Sequence, residues 1–552
     1  MKPSLEMWGG VECSHVRVGD VVRDELFETG HLQRIEDLDL IAGLGIRTLR
    51  YPILWEMVET AAGCYDWSWA DVRLARLRAL GIKPIAGLLH HGSGPSWTHV
   101  LAPDFQDEFF RFAEAFARRY PWVDLYTPIN EPLTTARMSG LYGLWQPHGH
   151  DERTCFKLVA AQCLATARAM DAIRRHVPEA KLVQTEDVGR VFCSPRLAYQ
   201  AEYENERRWL SLDLLGGRVD DRHPMHRRLI EADIDPQVLM RLAARPSIPD
   251  VIGLDYYLTS DRMLDEEIGR HPDESVGGNG IDAYVDIAAV RSETCSGVGL
   301  GPRIDEVWER YHLPIAVTEL HNGSTRDEQM RWLVEGWNAA EAAAKRGVAV
   351  RAVTAWSLFG AIDWNSLLTA RDGFYESGAF DVRGGIPRAT ALAHAIKALA
   401  SKGLIDHPVL DRPGWWIRDQ APPDKTRPLL LVGFGRLISA LEECCAFRRL
   451  PACAAPPNRS QLSIRNDGAW ALIAVAPAAC SLVCHYPDNS ELQLQYDCRS
   501  SLIDVANAAL DLIIDGQRGR FALRCAAANQ FALSAFVVQS ELVGEAAQSF
   551  VA

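Results

Sequence analysis

Leu125-Tyr126-Thr127-Pro128-Ile129-Asn130-Glu131-Pro132 is an apolar run that ends abruptly in an amide, a carboxylate and a proline. A run that short, stopped by Pro132, reads as a buried strand whose carboxyl end carries Asn130 and Glu131 into a loop. Parallel α/β folds do their chemistry at such strand ends. Leu313-Pro314-Ile315-Ala316-Val317-Thr318-Glu319 has the same form, an apolar strand closed by a carboxylate. A lone glutamate at a strand end is ordinarily a salt-bridge residue. Two of them on strands of one form point to paired acid and base chemistry.

Outward from these two stretches, apolar runs with polar carboxyl ends alternate with helical patterns. The strand expectations fall at residues 5–12, 46–55 (with Arg50 inside), 83–91 (ending in His90 and His91), the Glu131 strand, 181–186, 251–257, 313–319 and 350–357. Between the third and fourth, residues 107–120 set Phe109, Phe112, Ala113, Phe116 and Tyr120 at spacings of three and four, the pattern of a crossover helix with one apolar face. Eight strand-helix units make an α/β chain with a (β/α)8 barrel (TIM barrel) over residues 1–405, its site at the carboxyl ends of the strands. Residues 388–404 are expected to close it as a helix faced by Ala389, Leu392, Ala393, Ile396 and Leu399. Residues 406–426, punctuated by Pro413-Gly414 and Pro422-Pro423, read as a linker. From Arg427 a strand enters the turn Gly433-Phe434-Gly435 and then a helix, the opening of a Rossmann unit with Ile438 where its third glycine belongs. Residues 427–552 are therefore expected to be a second, smaller, degenerate Rossmann-like domain.

The composition narrows the function classes. At 552 residues two domains are the natural expectation, and 48% hydrophobic with 24% charged residues is a globular composition. A formal net charge of -14 opposes a nucleic-acid or anionic-membrane surface and favours neutral or cationic small molecules. The start has no signal-peptide pattern, and the longest apolar stretch, residues 469–484, is too short to span a bilayer and is broken by Pro477. A cytoplasmic protein is expected, without membrane or nucleic-acid partners. The 13 cysteines lack Cys-x-x-Cys pairs, so buried thiols are expected in place of a disulfide framework or a metal site. Adjacent Cys444 and Cys445 are expected to pack on a helix.

The chemistry of two carboxylates fits glycoside hydrolysis, in which one must arrive protonated and the other ionised. Residues from about 5 to 400 resemble the family 1 glycoside hydrolases, retaining β-glycosidases on a (β/α)8 barrel. Thr127-Pro128-Ile129-Asn130-Glu131-Pro132 looks like their acid/base signature, and Val317-Thr318-Glu319 followed by Asn322-Gly323 like a loosened nucleophile signature. The resemblance implies Glu131 as acid/base and Glu319 as nucleophile, with Arg50 and Tyr257 steadying Glu319. It implies Asn130 and His91 as sugar-binding residues, and Trp356, Asp363 and Trp364 as the sugar platform after strand eight. His90 reads as a packed imidazole, and Glu186 and Asp187 as structural. No metal and no cofactor is implied.

Departures from the family pattern sit in the sugar-recognition shell. Glu12, Ser14 and His15 stand near the place of a family glutamine, Gly92 follows His91 in place of a tryptophan, Asp255 replaces an asparagine, and Asp363 is shorter than the family glutamate. The preferred sugar therefore stays open. The two ends of the second domain, around Gly433-Phe434-Gly435 and residues 500–516, resemble sugar-nucleotide reductases of the dTDP-4-dehydrorhamnose reductase type. Neither Tyr486 nor Tyr496 has a lysine four positions on, so a noncatalytic remnant is expected. The leading function is a retaining β-glycosidase acting on a small soluble glycoside. A transglycosidase of the same mechanism, a catalytically silent sugar-binding scaffold and a bifunctional reductase are the competing classes. A homo-oligomer stays open.

Overall fold

The structure, a computed structural model, describes residues 5–271, 276–292, 295–417, 427–448, 450–456, 469–476, 479–485, 491–496, 501–515 and 533–536. Part of the linker expectation (418–426), Pro477 and Tyr486 lie outside the described residues. Two compact units emerge: Met1–Gly323 with Gln329–Ile405, and Ser324–Glu328 with Asp406–Ala552.

The first unit is a closed barrel of eight parallel strands: Glu6–Gly10, Thr48–Pro52, Lys83–His90, Leu125–Asn130, Lys181–Glu186, Val251–Tyr256, Ile315–Leu320 and Val350–Ala355. Each falls within or beside one of the eight apolar runs. Closure comes from the first strand pairing with the eighth, Met7 opposite Val353 and Trp8 opposite Thr354. Inside the barrel Trp8, Ile85, Val183, Ala316 and Ala352 pack together, five strands contributing one side chain each. Between the third and fourth strands, Phe105–Arg119 is an amphipathic helix that buries Phe109, Phe112, Ala113 and Phe116. The last helix begins at Ala391, later than expected. Arg388–Ala389 instead pairs antiparallel with Phe380–Asp381, so Ala389 is exposed, while Leu392, Ala393, Ile396 and Leu399 are buried as their spacing requires. A hairpin, His15–Val18 with Val21–Asp24, follows the first strand. Among the described residues no helix is long and apolar enough to cross a membrane.

The second unit holds a six-stranded sheet in the order Ala452–Ala455, Leu429–Val432, Ala471–Ala476, Ser481–His485, Glu491–Tyr496, Leu533–Phe536. The first three strands are mutually parallel and the others antiparallel. This departs from the all-parallel sheet of a doubly wound fold. The connections between Ala476, Ser481, His485 and Glu491 are far too short for a parallel crossover. Gly433 and Gly435, at φ of 139° and 95°, make the turn from Leu429–Val432 into the helix Arg436–Phe447. Cys444 and Cys445 are buried on that helix.

Candidate active site

Glu131 sits immediately past the fourth strand in a left-handed backbone conformation (φ 41°), unusual for a residue with a side chain. The helix Pro132–Ala136 follows it, and the buried Glu186 at the end of strand five holds that helix in place. Its carboxylate accepts from the Leu133 and Thr134 amides at 2.8 and 3.0 Å and from the Thr134 and Ser211 hydroxyls at 2.9 and 2.7 Å. Glu186 is thus a structural carboxylate that fixes the chain just beyond Glu131. Asp187 likewise serves a turn, accepting from the Gly189 amide and the Ser260 hydroxyl.

Glu319, on strand seven, is buried and gripped from two sides. Arg50, on strand two, donates to its Oε1 at 2.7 Å, and the Tyr257 hydroxyl donates to its Oε2. Burial alone would lower the Arg50 pKa; Glu319 and Asp255 outweigh it and leave the guanidinium more firmly charged. Arg50 also donates to the Thr318 carbonyl at 2.9 Å and to Asn130 Oδ1 at 2.6 Å. Thr185 gives Asn130 Oδ1 a second hydrogen bond at 2.7 Å. The amide of Asn130 is therefore oriented with its oxygen occupied and its nitrogen toward His90 Nε2, 3.3 Å away.

One oxygen each of Glu131, Glu319 and Asp255 lie within 4.8 Å of one another. Burial pushes the Glu131 carboxyl well above the usual carboxylate range, and the negative charge of the neighbouring Asp255 and Glu319 pair adds to the push. Its Oε1 has no hydrogen-bond partner among the described residues. His91 Nε2 stands 3.5 Å from Glu131 Oε2. The contact is not an ion pair, because burial, then Arg50, lowers the His91 pKa to about 3. His91 Nδ1 is paired with the Thr135 hydroxyl at 2.8 Å, which fixes the ring. The three clustered carboxylates are also where a cation fits among the described residues, and Arg50 already stands 2.7 Å from one and 3.9 Å from another.

The eighth strand delivers Trp356, buried, with its indole N–H donated to Glu12 Oε2 at 3.2 Å, its ring stacked on His90 and the Arg50 guanidinium 4.7 Å from its centre. Gly10 makes room for it: a Cβ there would lie 2.3 Å from the indole. Glu12 Oε1 accepts from the Cys13 and Ser14 amides and the Ser14 hydroxyl, so both of its oxygens are engaged. His90, held neutral by burial, packs as expected. At Gly92 the space of a missing side chain is taken by Glu56, whose Oε1 lies 2.0 Å from an ideal Cβ.

Trp364 is half-buried, edge-on to His91 at 5.8 Å and to Trp145 at 6.1 Å, its indole N–H without a partner among the described residues. Asp363 differs. Its Oδ2 accepts from the buried Arg23 at 3.0 Å and its Oδ1 from the Phe374 amide at 2.7 Å, so the carboxylate is tied into the wall. Arg23, from the hairpin after strand one, also holds Glu28 and the Leu368 and Ala370 carbonyls. Sequence reasoning missed Arg23, Thr185 and Trp145. Hydroxyls and a hairpin arginine carry no local signal of a site. Of the expected residues, the structure brings Arg50, Asn130, Glu131, Tyr257, Glu319, His91 and Trp356 around one point, with Trp364 against His91 and Asp363 behind it.

A closed eight-stranded parallel barrel with facing carboxylates at its strand ends defines a class of protein, the barrels whose site is built on a carboxylate pair. The family model for glycosyl hydrolase family 1 matches residues 29–379, and the chain belongs to that family. Over 173 residues it is 31% identical to beta-glucosidase 4 of Oryza sativa subsp. japonica, a match covering 28% of this chain and about a third (34%) of that protein. Among solved structures, the beta-glucosidase from Thermotoga maritima in complex with azafagomine superposes with a TM-score of 0.59 at 17% identity, covering 73% of this chain and 99% of that one. The same enzyme in complex with deoxynojirimycin gives 0.60 at 16%, covering 74% and 99%. At that identity the likeness speaks for the fold.

Proposed function

We propose that the protein is a retaining β-glycosidase that hydrolyses the O-glycosidic bond of a small soluble glycoside by double displacement. The observation that carries this is the pair itself: a buried Glu131 whose carboxyl is pushed above the usual range and an Arg50- and Tyr257-held Glu319 with oxygens within 4.8 Å, the short spacing of direct attack. Glu131 gives its proton to the departing oxygen while Glu319 attacks the anomeric carbon. Water then opens the glycosyl ester, losing a proton to Glu131 and releasing Glu319 as carboxylate. The second N–H of the Asn130 amide is proposed to meet the sugar 2-hydroxyl, and the half-buried Trp364 to offer an apolar face, with Trp356 backing the site. A panel of aryl β-glycosides tests the reading: turnover with retained configuration supports it, and inertness toward the whole panel makes the barrel a silent sugar binder. Product analysis with added alcohols separates hydrolysis from transglycosylation.

The second unit, read as Rossmann-like, is proposed as noncatalytic, its tie to sugar-nucleotide reductases resting on the sequence resemblance. Ile438, 5% exposed, stands within the packed core where a dinucleotide site needs glycine.

A further inference from the structure

Asp255 is the residue that the two-carboxylate mechanism does not use. It lies at the end of strand six, 1% exposed, where the family resemblance implies an asparagine. Its Oδ1 accepts from the Thr318 hydroxyl at 2.7 Å, a bond an asparagine oxygen would accept equally well. Its Oδ2 has no partner among the described residues. The acid brings one thing an amide lacks, a charge, and it brings it to within 4.8 Å of oxygens on both Glu131 and Glu319.

Arg50 decides when that charge is present. The guanidinium lies 2.7 Å from Glu319 and 3.9 Å from Asp255. In the free site Glu319 is the nearer counter-ion, and burial, with the Glu319 charge beside it, pushes the Asp255 carboxyl well above its usual range. Once Glu319 becomes an ester it carries no charge. The repulsion on Asp255 is lifted, and Arg50, which cannot lose its proton, is left with one carboxylate beside it.

We propose, on the reading of the site as a retaining glycosidase, that Asp255 is a positioning residue that succeeds Glu319 as the counter-ion of Arg50 at the glycosyl-ester stage, making release of the sugar the pH-sensitive half of the reaction. With an amide at this position, esterification removes the nearest carboxylate charge facing Glu131, and its carboxyl falls back toward the ordinary range. Here esterification passes that charge to Asp255. Its proton leaves to solvent as the ester forms, while the Glu131 proton departs on the aglycone. Glu131 must then accept a proton from water beside a carboxylate, and it rebinds protons at a higher pH than its role as base requires. Among the described residues, the other charged or titratable groups around these acids are His91, lowered by burial; Glu186 and Asp187, both bound by donors and raised by burial; Glu12, raised by burial and then by Glu319; and the Tyr257 hydroxyl, whose pKa burial and the carboxylates raise.

The test is Asp255→Asn with an activated dinitrophenyl β-glycoside. The wild type is expected to show a burst and an acid limb on the deglycosylation rate in the mildly acidic range. The variant is expected to move that limb down by about one pH unit or more and to lose the burst there. A purely structural Asp255 predicts an unshifted limb, and that result overturns the inference while leaving the glycosidase reading intact. Should the variant fail to fold, the wild-type protein trapped as its 2-deoxy-2-fluoroglycosyl ester is titrated with carbon-13-labelled glutamate. Glu131 is expected to stay above the usual carboxylate range, and a return to an ordinary value overturns the inference. Absence of turnover and of trapping by the wild type overturns the glycosidase reading and the inference together.

Discussion

Glu319 receives one donor that is always charged and one that is neutral, Arg50 and the Tyr257 hydroxyl. The pair fixes both oxygens of a carboxyl placed for attack, so Glu319→Gln, which keeps the shape and cannot form the ester, is expected to lower kcat on an aryl β-glycoside by on the order of 10⁴-fold or more. Rescue by azide with inverted product is the check, and undiminished turnover would sink the assignment. Tyr257→Phe removes one of the two donors and is expected to lower kcat/KM on the order of a hundredfold. Much of this was legible in the sequence because each residue sits at the polar end of an apolar run. Arg23 was not, because it reaches Asp363 across 340 positions from a hairpin that reads as an ordinary surface turn. Nor was the engagement of Asp363 itself, for its residue type fits a sugar contact as well as a wall.

Elements were legible where one physical demand dominated. Barrel strands must be apolar on both faces, so they stand out as runs, and the Phe105–Arg119 helix shows its face by spacing. Arg388–Ala389 fails both tests: two residues beside an amphipathic helix share its composition, and only their pairing with Phe380–Asp381 makes them a strand. The short helix Pro132–Ala136 depends on a distant carboxylate, Glu186, which satisfies two of its otherwise unpaired amides. Glu186→Ala leaves those amides and two hydroxyls buried without acceptors, and is expected to cost about 3 kcal/mol in denaturant unfolding. Activity is expected to fall further than stability explains, because the same helix anchors Glu131.

At the scale of the molecule, the barrel carries an excess of buried acids. Burial raises Glu12, Glu25, Glu56, Glu131 and Asp255 above their ordinary values. A carboxyl whose folded pKa is raised binds its proton more tightly in the native state. Its contribution to stability is complete below the unfolded value, near 4.3 for glutamate, and is lost as pH climbs through the folded one. Glu25, buried with Oε1 unpartnered among the described residues and Oε2 on the Ile362 amide, isolates the effect. The melting temperature is expected to fall from pH 5 to pH 8, and less steeply in Glu25→Gln. The second unit is expected to add no redox chemistry: titration of the full chain with NADH or NADPH should give no saturable binding at micromolar concentration, and binding lost on deletion from Arg427 onward would contradict that. The Arg23 tie has a consequence for biosynthesis. It joins the hairpin at 15–24 to Asp363, which is made 340 residues after Arg23, and the first strand likewise waits for its partner at Val350–Ala355. A nascent chain cannot display a partly working pocket, because Trp356 and the Arg23–Asp363 wall arrive with the strand that shuts the ring. Closure of the barrel and competence for catalysis are thereby one event.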